Sequence, residues 1–556
     1  MSLHKRIKMI KKLTAFTFLT LLSTFGFCQN LDAEIDKIYQ VEDNTPGFSI
    51  LVSKGENILV EKQYGISNLD YDIPITNKTV FDIGSIAKQF TAYAILLLEE
   101  QGKLSIKEPA YKYINNLPRY QKGNPTIEQL LNQTSGIKEV DGIAGIADLG
   151  RNDLLTQSQM MNFITKTTSL NFKPGEYFQY TNSNYILLAD IVTKVSGKSF
   201  ANFMQEDVFE PFGMENTIKK SSTYSIIKNR AIGYVKDEGS FYKTHLHAFI
   251  YNGDGQVLTT AKDMLKWHIG LQNVKKLSPE LYNKMHTKAK LNNGNTINFG
   301  LGVEFETYNN YQAFGFDGMI LGGFVSKYLY FPELDMMFFT TQNTFDSDFE
   351  EQFFKLVDLY IPKNNFNNET KNSGKVKKVK LSKKELKLYE GSYLFAGSDV
   401  ETIKTNRIQL KNDELTVLTT DGVEITRLKP IGNNQFMFND KLVVFDLEFN
   451  KKSYKYYDSE NQLPWLFKEY NPTTYNEKQL KEFEGQYFNA DFQISKNIKL
   501  IDGKLFVFSR NGAWKNEIIP LDKDAFDYSS DLITFLRDNN NSIVGLKIID
   551  VLFKKI

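Results

Sequence analysis

Phe81-Asp82-Ile83-Gly84-Ser85-Ile86-Ala87-Lys88-Gln89-Phe90-Thr91 is the stretch on which the reading of this chain turns. On a helix, Ser85 and Lys88 stand on one face a turn apart. A serine hydroxyl alone is too weakly acidic to attack a carbonyl at neutral pH, and an amine within reach makes it a nucleophile. The spacing by itself is cheap, since it recurs at Ser2 with Lys5 and at Ser225 with Lys228. A serine at this place could also simply cap a helix. The surroundings must therefore carry the reading. Over 85–101, Ile86, Phe90, Tyr93 and Leu97 recur on one face, Ala94 and Leu98 widen it, and Gly102 follows, which predicts a buried helix.

Working outward, Gly47-Phe48-Ser49-Ile50-Leu51-Val52 and Asn57-Ile58-Leu59-Val60-Glu61-Lys62 read as two strands around a Lys54-Gly55-Glu56 turn. A second strand pair is predicted at Tyr328-Leu329-Tyr330-Phe331-Pro332 and Met336-Met337-Phe338-Phe339-Thr340. An early hairpin, then helices, then a late hairpin predict an α/β domain whose sheet joins both ends. Tyr180-Thr181-Asn182 follows a Pro174-Gly175 turn and precedes an apolar helix-like run over 185–191. Y-x-N also occurs at Tyr113, Tyr308 and Tyr487, so its setting again decides. A phenol near a lysine ammonium is expected to have a lowered pKa and to take a proton. The asparagine offers a donor and an acceptor in one rigid group.

With these residues in place the chain resembles the serine β-lactamase and penicillin-binding-protein superfamily, in its class C, esterase and D-peptidase branch. The resemblance covers 31–360. It rests on landmarks in family order: Pro46-Gly47-Phe48, 81–88, Leu130-Leu131-Asn132-Gln133-Thr134-Ser135-Gly136, 174–182, and Gly253-Asp254-Gly255-Gln256-Val257-Leu258-Thr259-Thr260-Ala261-Lys262-Asp263. It implies an antiparallel sheet with helices on both sides. It implies that Ser85 is acylated, that Lys88 relays protons, that Tyr180 is the general base, and that Asn182 positions Lys88 and the substrate. The backbone N–H groups of Ser85 and Met319 would form the oxyanion hole, with Asp317 and Gly318 in the substrate-binding group. The family's third motif, Lys or His two residues before Gly, falls on Phe316-Asp317-Gly318. The glycine is kept and the cation is replaced. That argues against β-lactams and terminal D-Ala-D-Ala and favours neutral esters or amides, D-amino-acid or cell-wall-derived peptides among them. Gln133 departs from a frequent His before Thr-Ser-Gly and reads as structural. Two alternatives remain: an impaired relative that binds cell-wall fragments or a protein partner, and a true β-lactamase or D-Ala-D-Ala carboxypeptidase.

The ends set the compartment. Lys5, Arg6, Lys8, Lys11 and Lys12 precede an uncharged run over 13–27, shorter than the ~20 residues of a membrane-spanning helix. Residues 1–28 are expected to be a signal peptide cut before Gln29, giving a periplasmic or secreted protein without a stable membrane span. Loss of those five basic residues takes the net charge from +1 to −4, which does not suggest a nucleic-acid partner. Cys28, the only cysteine, would leave as well. The five histidines (His4, His245, His247, His268 and His286) lack metal-site spacing, so neither metal nor cofactor is expected.

After the hydrolase-like domain over 29–360, a polar Asn- and Lys-rich linker is expected over 361–380. The remainder repeats itself. Glu385-Leu386-Lys387-Leu388-Tyr389-Glu390-Gly391-Ser392-Tyr393 matches Gln479-Leu480-Lys481-Glu482-Phe483-Glu484-Gly485-Gln486-Tyr487, and Pro430 with Phe436 matches Pro520 with Phe526. Short alternating strands predict two small antiparallel β-barrels or sandwiches, over 381–472 and 476–556. They resemble the lipocalin-like tails often attached to such hydrolases, and would be ligand- or carbohydrate-binding modules or structural caps.

Overall fold

Phe48–Lys54 is buried at six of its seven positions, so it is a strand covered on both faces. In the computed structural model it pairs antiparallel with Asn57–Tyr64 on one side and with Met336–Gln342 on the other, Phe48 standing opposite Gln342. The two ends of the domain thus meet at the centre of one sheet. Its six strands run in the order Glu304–Tyr308, Tyr311–Ile320, Phe324–Phe331, Met336–Gln342, Phe48–Lys54, Asn57–Tyr64. The structure describes residues 31–149, 153–243, 249–320, 322–345, 348–361, 379–396, 405–419, 422–439, 441–447, 452–459, 461–509, 514–528, 531–548 and 551–556. The expected leader, most of the expected linker, and His245 and His247 lie outside these residues.

Helices cover both faces of the sheet. Ile50, Val52 and Phe338 pack with Phe353 and Leu356 of the helix Phe349–Tyr360. On the other face Leu51, Met337 and Phe339 meet the large helical layer that contains Phe90 and Trp267, whose rings cross edge to face at 4.6 Å. The helix expected over 85–101 is a 3₁₀ turn, Gly84–Ile86, followed by the α-helix Ala87–Glu100. Eleven of its fourteen residues are buried, which is why its polar stripe is so short. No described helix is long and apolar enough to cross a membrane.

The repeat forms two closed eight-stranded antiparallel barrels, Gly391–Phe395 through Trp465–Tyr470 and Gly485–Asn489 through Val551–Lys555. Closure leaves no strand edge unpaired. Each barrel opens with the same device, a capping box (Ser382 with Glu385, Asn476 with Gln479) on a one-turn helix. Tyr393 and Tyr487 each donate a hydroxyl to the carbonyl four residues earlier. Pro430 stands opposite Phe436 and Pro520 opposite Phe526, each beside a shift in register.

Both barrels touch the hydrolase-like domain. Phe492 of the second stacks edge-on against Phe163 at 5.2 Å, and its fully buried Lys496 pairs with Asp148 while donating to Ser509 Oγ at 3.1 Å. From the first barrel, Asn461 O accepts from Phe178 N (2.9 Å) and Leu463 N donates to Phe178 O (3.3 Å). Removing one partner of a buried ion pair strands the other's charge. Asp148→Ala is therefore expected to cost about 3–5 kcal/mol in urea unfolding. Adding Lys496→Met to that variant should recover most of the loss.

Candidate active site

The ammonium of Lys88 is the point where the site closes. Its side chain is fully buried. Nζ donates to Ser85 Oγ (2.9 Å), to Asn182 Oδ1 (2.9 Å) and to the carbonyl of Asp254 (3.0 Å). An ammonium has three protons, and three acceptors meet it. They come from its own helix, from the start of the helix Asn182–Ser196, and from the loop before the strand Val257–Thr259. Tyr180 donates its hydroxyl to Ser85 Oγ at 2.7 Å, and its ring centroid lies 4.9 Å from Lys88 Nζ. The structure thus brings Ser85, Lys88, Tyr180 and Asn182 into one hydrogen-bonded group.

Ser85 sits in the 3₁₀ turn that opens the helix, where backbone N–H groups have no partner within the helix. The turn lies against the strand Tyr311–Ile320. Gly84 has φ +54°, and a Cβ on it would stand 2.8 Å from Met319 N. A Cβ on Gly318 would stand 1.9 Å from Ile83 O. Two glycines thus let backbone meet backbone, and this sets Met319 N beside the turn that carries Ser85. Among the described residues, the pairing of that strand with Glu304–Tyr308 ends at Gly315.

The landmark 130–136 proves to be the frame for Tyr180. Gln133, fully buried at φ +61°, accepts on Oε1 from Thr181 N (3.2 Å) and Asn184 Nδ2 (2.6 Å), while its carbonyl accepts from Gln179 N (2.9 Å). It clamps the chain on both sides of Tyr180. An amide suits this better than an imidazole, since one oxygen must take two donors.

Burial dominates the electrostatics. It pulls Lys88 down to about 8, against the opposing pull of Asp254, Glu139, Asp141 and Glu304. The lowered phenol pKa expected for Tyr180 is not what the structure gives. Burial, reinforced by Glu304 and Asp254, holds the phenol well above its ordinary value. Tyr180 is 37 % exposed, so solvent moderates the rise, but its hydroxyl remains protonated at neutral pH. A neutral phenol donates its proton, as the Tyr180 hydroxyl does to Ser85 Oγ.

The acid field around Lys88 is the part sequence reasoning missed. Glu139 Oε2 accepts from Asn182 N (2.7 Å) and Asp141 Oδ2 from Asn182 Nδ2 (3.0 Å), so two carboxylates orient the asparagine. Burial first, then neighbouring carboxylates, holds both above the usual carboxylate range. Burial likewise raises Asp254 to about 6 and Glu304 to about 7. Asp254 lay within a quoted landmark, but only the fold reveals that its carbonyl holds Lys88.

Phe316 is 3 % exposed and lies 6.4 Å from the Tyr180 ring and 5.8 Å from Phe299, which in turn lies 5.4 Å from Phe178. An aromatic wall stands where the resemblance leads one to look for a cation. Asp317 alternates to the opposite face of the strand and pairs with Lys327 at 2.8 Å. That ammonium lies over the rings of Phe353 and Phe354 behind the sheet. The structure therefore occupies Asp317 away from Tyr180 and leaves Gly318 at the site. His268 bonds Tyr328 OH at 3.0 Å and His286 stacks on Tyr282 at 4.0 Å; burial lowers both to about 4.

Comparison with known proteins agrees with this geometry. The Beta-lactamase family model matches residues 29–358. Penicillin-binding protein 4* of Bacillus subtilis is 29% identical over 269 residues, 46% of this chain and 58% of its own length. The D-aminopeptidase of Gluconobacter oxydans is 26% identical over 279 residues, 50% of this chain and 51% of its own. The chain spans about half the length of the curated relatives it matches. The penicillin-binding protein of Bacillus halodurans has the same fold over 60% of this chain and 99% of its own (TM-score 0.51, 24% identity). An octameric penicillin-binding protein homologue from Pyrococcus abyssi does so over 88% and 99% (TM-score 0.53, 21% identity). With the family model spanning more than half of its residues, the chain belongs to the Beta-lactamase family.

Proposed function

We propose that this protein is an exported serine hydrolase that forms an acyl-enzyme on Ser85 and cleaves neutral esters or amides, D-amino-acid amides and peptides among them. The observation that carries the reading is the Lys88 ammonium bonded at once to Ser85 Oγ and Asn182 Oδ1, with Tyr180 on the same Oγ. With Lys88 lowered to about 8, roughly a tenth of it is neutral at pH 7, far more than for an ordinary lysine. Neutral Nζ takes the Ser85 proton as Oγ bonds to the substrate carbonyl carbon. The N–H groups of Ser85 and Met319 hold the resulting oxyanion. On collapse the bond to the leaving group breaks, and the proton passes from Lys88 through the Tyr180 hydroxyl to the departing oxygen or nitrogen. Water then attacks the acyl ester by the reverse relay, returning a proton to Ser85 Oγ.

Substrate choice follows from charge. Phe316 offers no cation to a substrate carboxylate, and Asp254, raised only to about 6, stays mostly charged at neutral pH. An anionic substrate is disfavoured, and a neutral or amine-bearing one is accepted. The D-aminopeptidase relatives are consistent with the second kind.

A fluorophosphonate probe should label the protein, and Ser85→Ala should abolish labelling. Absence of labelling on the native chain would end the hydrolase reading. Lys88→Met should lower nitrophenyl ester hydrolysis by ~10²–10⁴-fold, the range of general acid–base catalysis. Because the neutral amine is the active form, kcat/KM should rise with pH through about 8. Asp254 raises the Lys88 pKa, so Asp254→Asn should move that rise to lower pH. Labelled penicillin should react poorly with the native chain and faster with Phe316→Lys.

A further inference from the structure

A cleft of about 430 Å³ lies where the second barrel meets the β-lactamase-like domain. Its barrel wall follows from strand alternation. Tyr487 and Phe553 turn into the barrel core, so Phe488, Leu552 and Lys554 turn out of it. Register sets Phe488 opposite Lys554, an aromatic ring beside an ammonium. The facing wall brings Ile143 of the helix Val140–Ile146, residues 166–169 at the end of the helix Gln157–Lys166, and Lys138. The cleft is not a loose seam. Phe163 against Phe492, and buried Lys496 with Asp148, clamp the same two bodies together. A cavity of this volume held between two domains has the size and the place of a small-molecule site.

The lining sorts by chemistry. Phe488, Phe492, Leu552 and Ile143 are apolar, and Leu552 is 41 % exposed, an apolar side chain left uncovered at the cleft. Lys138, Lys166 and Lys554 bring three ammonium groups, and Asp491 brings one carboxylate. Asp491 stands 3.8 Å from Lys166 and so meets one of the three. Lys138 donates to Asn171 Oδ1 at 2.9 Å. The Lys554 ammonium makes no hydrogen bond or ion pair among the described residues. Ile556 also lines the cleft, and with its terminal carboxylate counted the cations still outnumber the anions. An apolar body therefore finds walls here, and a negative group finds partners, while a positive one is repelled. A cavity of about 150 Å³ accommodates benzene, so a fused pair of rings with a head group fits this larger one.

We propose that the cleft between the second barrel and the β-lactamase-like domain binds a small carboxylate with an apolar body, of the size of naphthoate, with the rings between Phe488, Leu552 and Ile143 and the carboxylate beside Lys554. Ser85, Lys88, Tyr180 and Asn182 do not line it, so the site stands apart from the acyl-enzyme chemistry.

The test titrates naphthoate, naphthylmethanol and naphthylmethylammonium into the full-length protein by calorimetry at low salt. The three share one ring system and differ in charge. The native chain should show one saturable naphthoate site and bind the alcohol about tenfold more weakly or worse, as loss of a charge-assisted hydrogen bond predicts. The ammonium compound should bind more weakly still. Lys554→Glu should weaken naphthoate by about tenfold or more and spare the alcohol. Leu552→Glu, which puts a carboxylate into the apolar wall, should weaken both. Both side chains stand on the outer face of the barrel, and both variants should keep native thermal unfolding and ester hydrolysis. Should either fail to fold, the other decides, since unchanged naphthoate affinity in it places the ligand elsewhere. Protein labelled on Ser85 by fluorophosphonate should bind naphthoate as the native chain does. The proposal is overturned if naphthoate does not saturate, if the three ligands bind alike, if a folded variant leaves naphthoate affinity unchanged, or if labelling of Ser85 abolishes binding.

Discussion

A single buried amine organises the β-lactamase-like domain. Taking an ammonium out of water is tolerable only where each of its protons finds an acceptor. Lys88 finds three, on three separate pieces of chain, and each piece is held by something further away. Asn182 is oriented by Glu139 and Asp141, and the Asp254 loop is drawn to the helix Ala87–Glu100 by Thr91, whose hydroxyl donates to Gly253 O at 2.7 Å. The Ser85 turn is pressed against the strand Tyr311–Ile320 by glycines on both sides. The need to satisfy one nitrogen therefore fixes loops that are far apart in sequence.

The same burial makes the amine chemically useful. Desolvation lowers its proton affinity, and the acid field around it limits how far. The balance leaves Lys88 near the pH at which a base both exists in neutral form and retains driving force. Desolvation acts on Tyr180 in the opposite sense for the proton, keeping the phenol neutral. One physical cause thus moves the two groups that touch Ser85 Oγ in opposite directions, Lys88 down and Tyr180 up.

The first barrel is joined to this site through backbone. Residues 461–463 bond Phe178, two residues before Tyr180, and Phe178 belongs to the aromatic wall that includes Phe316. The second barrel is tied instead through Lys496 and Asp148. Two copies of one module are thus joined to the same domain by different chemistry.

Local pattern was enough for the elements. The six buried positions of Phe48–Lys54, the helical stripe after Ser85 and the paired landmarks of the repeat are short-range features, and each formed where the sequence placed it. Ser85, Lys88, Tyr180 and Asn182 could be chosen because spacing and setting are local too. What the sequence could not hold was environment. Whether Tyr180 has a lowered or raised pKa depends on how much protein surrounds it. The roles of Glu139, Asp141 and the Asp254 carbonyl depend on loops closing over Lys88. Whether Asp317 faces the site depends on strand alternation and on the pull of Lys327. The cleft beside Lys554 exists only once the second barrel is docked on the β-lactamase-like domain. Residue identity and spacing are written along the chain. Desolvation and the field of distant charges arise only from three-dimensional packing, so tertiary structure alone decided them.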